Sequence, residues 1–475
     1  MDNLLSKMTG FGAREWLSGC KTLPCNPHPG RILIMRIIRL VPVLAALLFL
    51  PTLTWSQTEM PEPLGAEVPP LTTTSEIPTK NVLELSLRLT SYFDDNALGD
   101  NLNKHSDTSF DATPTIDFKQ ELERLKWDFF YSPGFTYNQH FSDRRYFSQL
   151  AGGQLAYQLF KHVELKFHGD GTLTTNPFEQ LDRSISLPQG NVIDRPNTSV
   201  ILPKTKQIEA NGGLGVDWFE SAFTTISLSG DITDQRYRNL AVQTVAQQKL
   251  IDTRTIHGHG AVLHRISARQ TVGVMYDYQD LGFPVAHART TSHAVEGFDE
   301  FAITPNMKLT LFGGPEYSRE HDQVELNLFF FTIVLPTFKT MWSPTAGAQY
   351  SWQGSRNALR AGYIHKISDG GGLIGAVTLD DGNVEFRRQL TRRWTFDLDG
   401  YYANNNSLGF AGSSRLRAWA ANSSIERAIT PNLSVSAGYS RLNQRRSGLV
   451  GGAAADDDNR VLISLRYRWD YPLGR

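Results

Sequence analysis

Three features of the sequence predict an all-β fold, a transmembrane antiparallel up-and-down β-barrel of about 18 strands, with 16 as the lower alternative. Apolar and polar residues alternate one by one over many segments, tyrosines recur at segment ends, and nearly identical turns return far apart in the chain. Alternation with period two is the strand signature, because successive side chains point to opposite faces. Wound into a helix, the same apolar residues would scatter round the cylinder.

Bulk properties agree. The 475 residues carry net charge -1, with 20% charged and 40% hydrophobic residues, which excludes a disordered chain and a basic nucleic-acid binder. Twenty-six Phe, 16 Tyr, 9 Trp and 39 Gly lean towards strands and turns.

The N-terminus divides into three pieces. From Met35 the chain reads MRIIRLVPVLAALLFLPTLTWSQ: Arg36 and Arg39 form a basic start, Leu40 to Leu53 an apolar core, and Thr54 and Ser56 small residues for cleavage. That order is a secretory signal peptide over 35–56. The apolar core falls short of the ~20 residues a spanning helix needs, and Pro42 and Pro51 interrupt it. Residues 1–34, which hold Cys20 and Cys25, are then an upstream extension or a misassigned start. A mature chain from Gln57 has no cysteine, which suits an oxidising periplasm. Residues 57–80, rich in Pro, Thr and Glu, read as a flexible periplasmic linker.

The barrel is expected over 81–475. A single soluble core rarely grows so large, whereas a barrel interior need not be packed. VLELSLRLT separates Leu83, Leu85, Leu87 and Leu89 from Glu84, Ser86 and Arg88, and RWTFDLDGYY separates Trp394, Phe396 and Leu398 from Thr395, Asp397 and Asp399. The last segment puts Val461, Ile463, Leu465, Tyr467, Trp469 and Tyr471 opposite Leu462, Ser464, Arg466, Arg468 and Asp470, and is expected to close the barrel against Leu83 to Leu89. Tyr276, Tyr363, Tyr401 and Tyr439 lie about 8 residues from a turn, close to the span of a membrane strand. With Tyr467 and Trp469 they are the candidate girdle at the membrane interfaces.

The turns set the count. AITPNM (Ala302 to Met307) and AITPNL (Ala428 to Leu433) lie 126 positions apart. At ~20 residues per strand and loop that is about six strands, an even number that returns both turns to one side. Compact turns fall near Glu123, Lys161, Ser221, Ser267, Pro305, Ser355, Arg392 and Pro431. Long connections are expected at 94–107, 175–205, 234–252, 281–291, 320–337, 404–414 and 443–459. Short turns then face the periplasm and long loops the exterior. LNLFFFTIVLP (Leu326 to Pro336) breaks the alternation; it reads either as a strand end with an irregular tip or as a loop folded into the lumen.

The signal peptide, the Pro-rich lead, the repeated ITPN turns before strands ending in GY, and the terminal NRVLISLRYRWDYPLGR together resemble the β-barrel porin families of Gram-negative outer membranes, often associated with exopolysaccharide secretion. The resemblance covers roughly 81–475. It implies an outer-membrane location, contact with lipid and lipopolysaccharide, insertion by the barrel-assembly machinery, and no catalytic residues. The chain ends in Pro472 to Arg475 rather than on the terminal Phe of many porins.

If apolar faces meet lipid, charged faces line the lumen. Glu385, Arg387, Asp397, Asp399, Arg415, Arg417, Arg466 and Arg468 are the candidate lumen-lining residues. They form either a structural ion-pair ladder or a charged constriction that sorts solutes by sign. His257 and His259 share one face at i, i+2, but His264 points the other way. With no third ligand evident they read as a hydrated pair, and no metal or cofactor is assigned. Asp456, Asp457 and Asp458 read as a solvated acidic loop lacking EF-hand spacing. No nucleophile elbow, P-loop or HExxH helix occurs, so the chain does not read as an enzyme. The expected function is a passive outer-membrane channel for small hydrophilic solutes. The alternatives are a conduit or accessory for exopolysaccharide export, with a periplasmic partner, and a barrel-anchored enzyme or adhesin.

Overall fold

The computed structural model describes residues 81–473 apart from 98–100, 102–103, 142–145, 175–204, 240–250, 285–286, 329–330, 372–373, 409–413 and 448–454. Residues 1–34, the signal segment 35–56 and the linker 57–80 lie outside the described residues. Eighteen strands follow in order: β1 (Val82–Asp94), β2 (Asp107–Glu121), β3 (Leu125–Asn138), β4 (Tyr146–Phe160), β5 (Val163–Thr174), β6 (Thr205–Phe219), β7 (Thr224–Asn239), β8 (Thr253–Ser267), β9 (Gln270–Phe283), β10 (Ala288–Thr304), β11 (Met307–Leu328), β12 (Phe331–Gln353), β13 (Asn357–Gly370), β14 (Ile374–Gln389), β15 (Trp394–Ser407), β16 (Arg415–Ala428), β17 (Leu433–Ser447) and β18 (Ala455–Pro472). Among the described residues there is no helix.

Every strand pairs antiparallel with its chain neighbours, and β1 pairs β18 to close the sheet. The seam runs the full 13 residues of β1, from Val82↔Pro472 to Asp94↔Arg460. Leu85, Leu87 and Leu89 lie opposite Trp469, Tyr467 and Leu465, while Ser86 and Arg88 lie opposite Arg468 and Arg466. The closing strand expected from the tail is therefore the one found.

The two faces of this sheet are the reverse of a soluble protein's. Ile463 (62%), Leu228 (61%) and Val274 (58%) are among the large apolar side chains exposed on the outer face, while Asp107, Thr136, Gln235 and Gln444 are buried on the inner one. An apolar outer belt over a polar interior is the pattern of a barrel in lipid, where every backbone N–H and C=O must be satisfied inside the protein.

All eight compact turns expected from sequence join consecutive strands at one end of the barrel. Their chemistry explains the repeated motifs. In the turn after β16, Thr430 Oγ1 accepts from Asn432 N (3.3 Å) and Leu433 N (3.0 Å). Thr391 Oγ1 accepts likewise from Arg393 N and Trp394 N, both at 3.2 Å, and Ser221 Oγ from Phe223 N (3.2 Å) and Thr224 N (3.0 Å). A hydroxyl that caps the turn is why Thr or Ser recurs at that position. The two ITPN turns sit after β10 and β16, six strands apart and at the same end.

The opposite end carries nine connections, two more than expected: 139–145 between β3 and β4, and 371–373 between β13 and β14. Of the apolar run, residues 326–328 and 331–336 belong to a two-stranded ribbon. β11 and β12 stay paired out to Leu328↔Phe331, well past the last rung that β11 shares with β10, His321↔Arg289.

Lipid-facing and inward positions should tolerate charge differently. Ile463→Arg is expected to destabilise the barrel by about 2–4 kcal/mol, and Arg466→Leu by less than half as much, in urea unfolding from lipid vesicles. Equal losses would mean that the assigned faces are wrong.

Candidate functional site: the inner wall and its constriction

Parity along each strand decides which charges face inward, and hydrogen-bonded rungs bring them together because paired residues share a face. In β14 and β15, Glu385 lies opposite Asp399 and Arg387 opposite Asp397. Arg387 Nε donates to Asp397 Oδ1 at 2.5 Å, and Glu385 Oε2 lies 3.5 Å from Arg360 Nη1 on β13. At the seam, Arg466 Nη2 donates to Glu84 Oε1 at 3.0 Å, and Arg468 Nε lies 3.2 Å from Asp470 Oδ2. Six of the eight expected lumen residues, Glu385, Arg387, Asp397, Asp399, Arg466 and Arg468, thus face inward. The arginines among them are half-exposed, Arg387 at 46% and Arg466 at 40% of the side chain.

Arg415 and Arg417 do not join them. They share parity with Trp419 and Ile425 on the outer face of β16. They are tolerated there because they lie at the far end of the strand, opposite Asn406 and Asn404. Arg415 Nε donates to Asn404 Oδ1 at 2.7 Å, and Asn404 Nδ2 donates to Asp380 Oδ2 at 2.9 Å. A polar fringe thus stands past the apolar belt. Across β15 from Glu385 and Arg387 the positions are taken by Asn422 and Ser424 instead.

Tyr401 is the second correction. It has the parity of Asp397 and Asp399, is buried inside, and packs with Val377, Leu379, Ala403, Ala420 and Leu442. Tyr402 is the outward residue of that pair, at 46% exposure. Tyr276, Tyr363, Tyr439 and Trp469 are exposed on the outer face. Tyr467 faces outward beside Trp469, ring centroids 4.1 Å apart. The outward tyrosines anchor polar groups near the long-loop end: Tyr363 Oη donates to Asp380 Oδ1 (3.0 Å), and Tyr439 Oη to Asn459 Oδ1 (2.7 Å).

The element missing from the sequence expectation is an inward-folded hairpin. Pairing of β12 with β13 ends at Ala346↔His365; past that rung β13 leaves the wall. Ile367 N donates to Oε2 of Glu316, an inward-facing residue of β11, at 3.2 Å. Ile367, Ala376 and Leu408 then pack against Leu281 and Phe283 of β9, four strands round the barrel. Lys339 Nζ donates to Leu408 O at 2.6 Å. The tip is turned by Asp369, whose Oδ1 accepts from Gly371 N at 2.7 Å, and by Gly371 at φ 59°, a conformation glycine adopts without strain. The signal was present in SDGGG, Ser368 to Gly372, although nothing in those residues dictates that the turn folds inward.

His257 and His259 do face inward together, while His264 faces outward, its Nδ1 2.9 Å from Thr224 Oγ1. Asp458 is drawn out of the expected solvated loop and is buried; it and Asp94 and Asp95 bring carboxylate oxygens within 4.8 Å of one another. The side chain of Asp456 lies outside the described residues.

Closed sheet, apolar exterior and charged interior define a transmembrane β-barrel. No protein-family profile matches the chain, and no curated protein does. Among solved structures it is similar to OpdQ of Pseudomonas aeruginosa (10% identity, 82% of this chain, 99% of that chain, TM-score 0.41). It is similar also to OccK2 (OpdF) of the same organism (11%, 82%, 98%, 0.40) and to the siderophore receptor PiuA from Acinetobacter baumannii (9%, 82% of each, 0.40). Likenesses this loose decide nothing further about this chain.

The barrel domain lacks cysteine, so single cysteines report its faces directly. In vesicles, Arg387→Cys is expected to react with a charged, membrane-impermeant thiol reagent and Leu398→Cys to be protected. Protection of both would contradict a hydrated inner wall.

Proposed function

We propose that this chain is an outer-membrane channel, exported through the signal peptide at 35–56, that passes small hydrophilic solutes passively down its lumen. The observation that carries this reading is the half-exposed charged wall inside an apolar belt, with Arg387, Arg468, Arg466 and Lys166 (41% exposed side chain) among its exposed members. Charge held in water inside a lipid-facing cylinder serves solute passage, since a merely structural barrel would fill that space. The outward tyrosines and Trp469 support placement between two interfacial belts, with compact turns towards the periplasm. The folded-in β13–β14 hairpin narrows the route at the long-loop end, and its hold on Glu316 sets the width.

Reconstituted in planar bilayers, the mature chain is expected to give ohmic openings, and a barrel that never conducts would overturn the channel. Glu316→Ala removes the acceptor of the Ile367 N–H and is expected to raise single-channel conductance or its noise severalfold. Unchanged conductance would mean that the hairpin does not limit the path.

A further inference from the structure

The inner wall holds a second constellation, which neither the ion-pair ladder nor the hairpin explains. On β8, His257 and His259 project inward two residues apart, and Asp277 of β9 lies in register with His259. Asp277 Oδ1 sits between the two rings, 3.1 Å from His257 Nε2 and 2.8 Å from His259 Nδ1. The rings are near-parallel, 27° apart, with centroids separated by 6.4 Å. The row continues on the other side: His257 Nδ1 lies 3.8 Å from Asp231 Oδ2 on β7, and His168 Nε2 of β5 lies 2.8 Å from Asp231 Oδ1.

That last contact spans a strand. His168 pairs with Gly213 of β6, and Gly213 pairs with Asp231. A Cβ on Gly213 would run into both side chains, so the absence of one lets β5 and β7 touch across β6.

From this arrangement we infer that His257, His259 and Asp277 form a binding site for a divalent transition-metal ion of the Zn2+ class. The donor set is two imidazoles and a carboxylate, the mixture such ions prefer over the all-oxygen shells of Ca2+ and Mg2+. Asp277 is the third ligand that the sequence alone lacked, because it comes from the neighbouring strand. Both nitrogen-to-oxygen separations are already no longer than the edges of a tetrahedral shell with ligands at ~2.1 Å. The two ring nitrogens stand farther apart than that edge, so binding has to draw the rings together, by rotation of side chains on one strand.

Charge points the same way. Among the described residues, the ion pairs of Asp231 and Asp277 go to histidines. Imidazole coordinates metal as the neutral ring, so Asp277 supplies the anionic ligand of the set. Access runs along the row from His168, whose side chain is 43% exposed. Asp231, linked to the far side of His257, is a positioning residue in this arrangement.

The test is Zn2+ titration of the purified full-length barrel in detergent by calorimetry, with Cu2+ loading followed by electron paramagnetic resonance. One ion per barrel is expected, with nitrogen hyperfine structure from two imidazoles. Asp277→Asn should weaken binding at least tenfold and the pair H257Q/H259Q should abolish it, whereas H264Q, on the outer face, should bind as the parent does. Failure of the parent to bind Zn2+, or retention of binding by H257Q/H259Q, would overturn the site. If that double variant does not assemble, judged by heat-shifted migration on gels, H259Q alone decides: loss of one nitrogen coupling supports the site and an unchanged spectrum sinks it.

Discussion

Everything in this molecule depends on the pairing of β1 with β18. A sheet of 18 strands with two free edges would leave a column of backbone donors and acceptors unsatisfied in lipid, at several kcal/mol for each group. Pairing along all of β1 removes both edges at once. The side chains of the seam then divide as the ladder demands: leucines against aromatics outside, Arg466 against Glu84 inside. Beyond the belt, the seam is locked by Arg460 Nη2 on Asp94 Oδ2 (2.9 Å) and by Asn459, whose N and Nδ2 donate to the Asp95 carboxylate at 2.8 and 2.7 Å.

Closure also makes an interior, and the interior differs from one end to the other. Towards the compact turns, the charged residues of β13 to β15 and of the seam stay partly wet. Towards the long loops, inward polar residues such as Gln235, Asn405, Gln444 and Thr136 are buried, and the β13–β14 hairpin crosses to the apolar patch of β9. The packed part is held by a few contacts, Glu316 with Ile367 and Lys339 with Leu408. The histidine-aspartate row lies on the wall between these regimes, on strands next to the β9 patch.

Much of this was legible in the chain. Period-two alternation located the strands, compact turns between the alternating segments located eight hairpins, and the even spacing of the ITPN repeats placed them at one end. The expectation that Glu385, Arg387, Asp397, Asp399, Arg466 and Arg468 face inward came from taking the charged face of each strand as the inner one. Tyr401 was misplaced because the YY doublet offers one residue to each face, and parity counted from Asp397 selects Tyr402 for the exterior. Arg415 and Arg417 were misplaced because charge was taken to mean lumen. At the far end of β16 an outward arginine meets asparagine, as Arg415 meets Asn404.

The sequence by itself determined the local quantities: which residues are extended, where the chain turns, and which side chains share a strand face. These follow from backbone geometry over two to four residues. Only the tertiary structure decided what lies opposite what. Asp277 beside His257 and His259, His168 reaching Asp231 over Gly213, and Ile367 held by Glu316 all join residues whose meeting depends on strand register and on where β13 departs from the wall. Register is set by the whole closed ladder, so no short stretch of sequence encodes it.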